Sequence, residues 1–113
     1  MFVKLAREEE VPPGGTRFVR AGETPIILAN HEGRIHALYG LCSHQRNPLE
    51  GATMWDNLID CPFHHFQYDV RTGENHFPKS VYPEDMPHLA EQVRPLKTYK
   101  VEVREGDIWV DLE

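Results

Sequence analysis

The chain has 113 residues, 40% of them hydrophobic and 27% charged, with two cysteines and a formal net charge of −6. That length suits one domain with a modest core, taken here as residues 1–113, and leaves no room for a second. The acidic balance argues against nucleic acid, because nothing would displace counterions from a phosphate backbone. No apolar run approaches bilayer length, and Met1 to Glu8 offers neither a basic n-region nor an apolar h-region. No membrane anchor and no export are therefore expected, and the chain reads as cytoplasmic.

In chain order, Phe2-Val3-Lys4-Leu5 is a first strand, followed by an acidic stretch and a turn at Pro12-Pro13-Gly14-Gly15. Thr16 to Ala21 sets Arg17 and Val19 against Phe18 and Arg20, the alternation of a half-buried strand. Pro25 to Ala29 and Ile35 to Tyr39 flank Asn30-His31-Glu32-Gly33, a hairpin signal in which Gly33 is free to take positive φ. Asn57 to Asp60 and Phe66 to Asp69 are two further short strands. Near the C-terminus Tyr99, Val101 and Val103 oppose Lys100, Glu102 and Arg104. Glu105-Gly106-Asp107 then turns the chain into the alternating run Ile108 to Leu112. Nine prolines and eight glycines break the chain up, and no long stretch keeps a helical period. A mainly β, antiparallel fold follows. Asn75 to Val93, with Pro78, Pro83 and Pro87 and a helical turn at His88 to Gln92, reads as an irregular excursion.

Both cysteines have a histidine close by. Cys42-Ser43-His44 reads C-x-H, and Cys61-Pro62-Phe63-His64 reads C-x-x-H, with residues 45–60 between them. Each half thus supplies one thiolate and one imidazole, the donor set of a [2Fe–2S] cluster in which two histidines replace two cysteines on one iron. A single intervening residue puts Cys42 and His44 on one side of an extended chain, and Pro62 suits a tight turn. A Cys₂His₂ zinc site has the same ligand types, but common zinc patterns pair cysteine with cysteine and histidine with histidine within each half. A disulfide between Cys42 and Cys61 would need an oxidising compartment, to which nothing here points.

With these motifs, the trailing Tyr68-Asp69-Val70-Arg71-Thr72-Gly73 and the entry Pro95-Leu96-Lys97-Thr98-Tyr99, the chain resembles the Rieske-type ferredoxins. These are small soluble carriers of aromatic-ring and related oxygenase systems. The resemblance implies a Rieske-like antiparallel β-sandwich with a cluster-binding subdomain of two ligand loops, at about residues 40–70. It implies one [2Fe–2S] cluster per chain, with Cys42 and Cys61 on one iron and His44 and His64 on the other. It also implies an electron carrier rather than an enzyme, in transient contact with a flavin-containing NAD(P)H reductase and a terminal oxygenase. Two other readings are a small subunit of a nitrite-reductase-like enzyme and a zinc-stabilised interaction module.

The chain departs from that family's pattern at three places. His65 stands where glycine is usual. High-potential members carry an extra cysteine in each loop, and neither is present. Phe66 occupies the position of a serine whose hydroxyl approaches a bridging sulfide. Tyr68 matches the tyrosine whose hydroxyl reaches a cysteine sulfur. Fewer hydrogen bonds to sulfur imply a potential toward the low end of the Rieske range of about −150 to +300 mV. Pro48, Phe63, His65 and Phe66 are expected to ring the cluster tip as a small apolar docking patch. His31 and His36 are expected solvated or packed, His76 and His88 in the long excursion, and Trp55 and Trp109 in the core or at an edge. Glu8-Glu9-Glu10 and Glu84-Asp85 read as solvated faces.

Overall fold

The computed structural model describes residues 1–41, 48–62, 66–77 and 95–112. Among the described residues ten strands run β1 (Phe2–Arg7), β2 (Thr16–Ala21), β3 (Thr24–His31), β4 (Arg34–Tyr39), β5 (Thr53–Trp55), β6 (Leu58–Asp60), β7 (Gln67–Asp69), β8 (Asn75–Phe77), β9 (Thr98–Arg104) and β10 (Asp107–Asp111). They form two antiparallel sheets. One has six strands in the order β1-β10-β9-β4-β3-β2, and the other has four in the order β5-β6-β7-β8. This is the mainly β architecture expected from the alternation. The Glu8–Glu10 segment forms a 3-10 turn, within which the Arg7 amide donates to Glu10 Oε1 at 2.8 Å. Arg17 reaches Glu10 at 3.1 Å, so this acidic stretch is paired as well as solvated.

The six-stranded sheet curls until β1 approaches β2. Its concave side encloses Ala6, Val11, Ile26, Leu28, Ile35, Ala37, Ile108 and Val110 as one core. The opposite side of β3 and β4 presents Ile27, Ala29 and Leu38 to a second core, completed by Leu49, Ala52, Ile59, Cys61, Phe66, Tyr68, Val70 and Leu96. Strand β3 is therefore buried on both faces, which explains why Ile26 to Asn30 reads as a continuous apolar run with one amide at its end. Asn30 is buried but satisfied. Its Nδ2 donates to the Val11 carbonyl at 2.8 Å, and its Oδ1 accepts from the Gly33 amide at 2.9 Å.

The hairpins expected at Glu32-Gly33 and Glu105-Gly106 are present, with both residues of each pair at positive φ. Strand β5 was not foreseen, since its three residues carry too short a pattern. Trp55 lies there, on an edge strand and 75% exposed. Trp109 is on neither an edge nor a core face. It points outward from β10, between buried Ile108 and Val110, with the Arg104 guanidinium 5.3 Å from its ring. The expected excursion from Asn75 begins instead as a strand. Asn75–Phe77 forms β8 because Tyr68 pairs with Asn75 and Gln67 with Phe77. Residues 78–94, with His88 and the proposed turn at His88 to Gln92, lie outside the described residues. Among the described residues no helix is long and apolar enough to cross a membrane.

Candidate metal centre

Strand β4 runs toward the first Cys-His motif, and β6 runs directly into the second. Both motif intervals are closed at their bases by backbone hydrogen bonding. Leu41 pairs with Pro48 as an isolated bridge, and the Leu49 amide donates to the Gly40 carbonyl at 2.8 Å. The Cys61 amide donates to the Phe66 carbonyl at 2.8 Å, which closes the second interval. Leu49 and Cys61 belong to the same buried cluster, so both intervals are anchored on one apolar floor. Of the four expected ligands, Cys61 is described, and its side chain is fully buried. Cys42, His44 and His64, together with Phe63 and His65, lie outside the described residues.

The walls around Cys61 fit an iron–sulfur cluster. Cys61 belongs to one buried apolar cluster with Leu49, Ile59, Phe66, Tyr68 and Leu96. Such surroundings keep water away from sulfur and restrict the donors that reach it. Tyr68 is fully buried, and among the described residues no buried side-chain nitrogen or oxygen lacks a hydrogen-bond partner.

Phe66 corrects the expectation of an exposed patch. It is 9% exposed and packs in the core beside Cys61. The reason is strand alternation: Phe66 lies two residues before Tyr68, and Tyr68 points inward, so Phe66 does too. Of that expected ring only Pro48 is a half-buried surface residue among those described.

Behind the strands that carry Cys61 and Tyr68 lies a polar knot which sequence reasoning missed. Asp69, 5% exposed, accepts from the Arg71 amide at 2.8 Å, Arg71 Nε at 3.1 Å, Arg71 Nη2 at 3.0 Å and Asn57 Nδ2 at 3.0 Å. His76 Nε2 stands 3.8 Å from the same carboxylate. Burial alone would raise the Asp69 pKa, but the hydrogen bonds from Arg71 and Asn57 and the Arg71 charge outweigh it and hold the carboxyl below its ordinary range. No spacing rule joins Asn57 to Asp69; only the pairing of β6 with β7 brings them together.

Two glycines were also overlooked. A Cβ at Gly73 would sit 1.9 Å from the Leu96 carbonyl oxygen, and Gly73 has φ +80°. At Gly40, just before the first motif, a Cβ would meet Ile26 N and Phe18 Cε2, each at 2.9 Å.

His31 and His36 line a cleft of about 470 Å³ with Glu32, Arg34 and Arg71, at the end of β3 and β4 away from the motifs. The pKa of His36 is lowered, first by burial and then by the charges of His31 and Arg34, with Asp69 opposing. Ligand atoms of His31, Glu32 and Asp56 lie within 4.8 Å of one another. The pKa of Arg71 is raised by its hydrogen bonds and charge pairing with Asp69, then by Asp56 and Glu32. Those carboxylates therefore already face a resident cation.

Two antiparallel sheets, with a buried thiol at the closed base of a loop, define a small β protein suited to hold an iron–sulfur centre. Comparison with known proteins makes this specific. A profile of the family described as "Rieske [2Fe-2S] domain" matches residues 1–100. The ferredoxin component of the alkene monooxygenase system of Xanthobacter autotrophicus is 30% identical over 94% of this chain and 88% of its own. The 3-phenylpropionate/cinnamic acid dioxygenase ferredoxin subunit of Photorhabdus laumondii is 33% identical over 90% of this chain and 86% of its own. A chain in the solved complex of reduced oxygenase and oxidized ferredoxin of carbazole 1,9a-dioxygenase superposes with a TM-score of 0.78. It is 26% identical, over 99% of this chain and 97% of that one. The chain belongs to the Rieske [2Fe-2S] domain family, among the ferredoxin components of oxygenase systems. Its cofactor is the [2Fe–2S] cluster of that family, and its work is electron transfer.

Proposed function

We propose that Cys42 and Cys61 hold one iron of the cluster and His44 and His64 the other. On this reading the chain works as one domain in the cytoplasm. It takes single electrons from a flavin-containing NAD(P)H reductase and passes them to a terminal oxygenase. The observation that carries the ligand set is the position of Cys61: fully buried, at the end of β6, with its interval closed by Phe66 on the core that also anchors the first motif. The mixed thiolate–imidazole donor set supports the same reading. Support for the oxygenase as partner comes from the carbazole dioxygenase complex, in which a chain of this fold is solved together with its oxygenase.

When bound, the cluster supplies a one-electron couple. The protein does the rest through burial and orientation. Leu49, Ile59, Phe66 and Leu96 exclude water from the sulfur side. Exclusion limits the solvent reorganisation that accompanies a change of charge. Tyr68 brings a phenol into the same apolar shell, where a hydrogen bond to sulfur favours the reduced state.

The test is an EPR spectrum of the dithionite-reduced protein, followed by the same spectrum for Cys42→Ser and His64→Ala. An average g value typical of mixed nitrogen–sulfur ligation is expected in the parent and is lost in both variants. A colourless protein with stoichiometric zinc would overturn the assignment. Reconstitution with a flavoprotein reductase and an oxygenase tests the partners: electron flow from NAD(P)H to the oxygenase must require the chain.

A further inference from the structure

We propose that Asp69 is the positioning residue for Tyr68: its buried carboxylate locks the register of β7, and so keeps the phenol on the face that carries Cys61. This rests on the assignment of Cys61 as a cluster ligand.

Register is weakly specified where Tyr68 sits. Strands β6, β7 and β8 have three residues each. Between Gln67 and Tyr68 the pairing with β8 shifts, with Gln67 opposite Phe77 and Tyr68 opposite Asn75. Only the β6 side is regular, pairing Leu58 with Asp69, Ile59 with Tyr68 and Asp60 with Gln67. Because side chains alternate along a strand, a slip of one residue would turn Tyr68 outward and carry Asp69 into the apolar core. Three short strands with an irregular edge oppose such a slip poorly.

The Asp69 carboxylate opposes it, because a slip would break its bond to Asn57 and carry a charge into the core. Its two oxygens receive four donor groups: Arg71 N and Nε on Oδ1, and Arg71 Nη2 and Asn57 Nδ2 on Oδ2. The backbone repeats the tie. The Asp69 amide donates to the Glu74 carbonyl at 2.8 Å, the Gly73 amide to the Asp69 carbonyl at 2.7 Å, and the Val70 amide to the Asn57 carbonyl at 2.9 Å. Asn57 immediately precedes β6, the strand that delivers Cys61, so the knot joins the two strands that carry the thiol and the phenol. The three Arg71 bonds are local to residues 69–71 and hold the carboxylate charged, whereas the Asn57 bond reaches across from β6 and exists in one register only. A slipped β7 would strand a charge away from water, which is among the costliest local changes available to a fold.

The experiment is a double-mutant cycle read by voltammetry on the cluster-loaded protein: parent, Asp69→Asn, Tyr68→Phe, and the two combined. Tyr68→Phe is expected to lower the potential in the parent, and by less than half as much in the Asp69→Asn background. The change of charge at position 69 is common to both arms of the cycle and cancels. Equal lowering in both backgrounds would overturn the proposal, as would an unchanged potential on Tyr68→Phe in the parent. If Asp69→Asn does not fold, Asn57→Ala replaces it. That variant keeps the carboxylate and its Arg71 bonds while removing the side-chain donor that reaches Asp69 from beside β6, and the same reduction of the Tyr68→Phe shift is expected. The EPR signal of the reduced parent separates the two readings. Its absence would sink the ligand assignment and this inference together, whereas a normal signal with additive shifts would sink only the role of Asp69.

Discussion

The two cores are built by different means. The curled six-stranded sheet has strands of five to eight residues, with hairpins closed by Glu32-Gly33 and Glu105-Gly106. Its register follows from apolar alternation and turn chemistry, apart from one shift in the β1–β10 pairing between Lys4 and Ala6, and its core, from Ala6 to Val110, is aliphatic. The four-stranded sheet has strands of three residues, one irregular pairing and an exposed Trp55 on its edge. It is held by a buried carboxylate, by a glycine pressed against another backbone, and by packing onto the outer face of β3 and β4. The lesson is that longer strands can rest mainly on pattern, with Asn30 and Gly40 as added ties, whereas a sheet of three-residue strands leans on such polar and steric ties.

The sharpest way to break that comparison is through glycine. Gly73→Ala imposes positive φ on alanine and drives a Cβ into the Leu96 carbonyl. The expected cost is about 3–5 kcal/mol, read from urea unfolding, with loss of cluster absorbance. Gly22, at the β2–β3 turn, has φ +62° but nothing within 4 Å of its added Cβ. Gly22→Ala should cost about 1–2 kcal/mol, from backbone strain alone, and leave the cluster in place. Similar costs at both positions would remove the distinction drawn between the regions.

A gentler contrast uses matched isoleucines, both fully buried. Ile59→Ala and Ile108→Ala should each cost about 2–5 kcal/mol. They should part in their second effect. Ile59 lies two residues before Cys61, in the same core, so its loss should speed cluster loss on storage. Ile108 belongs to the other core, and its loss should not. The decay of visible absorbance at a fixed temperature decides this.

The smallest effect is in the pH dependence of stability. The pKa of Asp69 is lowered on folding, so its contribution is full above the ordinary value of 3.8 and is lost as pH falls through the folded value. The pKa of His36 is also lowered. The unfolded chain therefore binds the extra proton first, and stability declines as pH falls below 6.5 toward the folded value. Denaturation midpoints measured against pH should show both declines. His36→Gln should flatten the upper one and Asp69→Asn the lower. A slope below pH 6.5 that survives His36→Gln would count against this account.

Much of the molecule was legible in residue order. Alternation located β2, β9 and β10, the hairpin signal at Glu32-Gly33 located β3 and β4, Glu105-Gly106 marked the last turn, and the Cys-His pairs announced the cluster, because these signals are local. Local signals failed at β5 and β8, three-residue strands that, unlike β6 and β7, flank neither Cys61 nor His64 and so had no motif to mark them. Phe66 was misplaced because its burial follows from the inward face of Tyr68, which only the packed sheet defines. The meeting of Asn57 with Asp69, and the contact between Gly73 and Leu96, join residues far apart in order. The sequence by itself determined the donor set, the framework hairpins and the class of cofactor, because those depend on residue type and short-range geometry. Tertiary structure alone decided which face of β7 is buried, that Asn57 reaches Asp69, and how both motif intervals come to stand on one core, because each depends on how strands of the second sheet pair and pack.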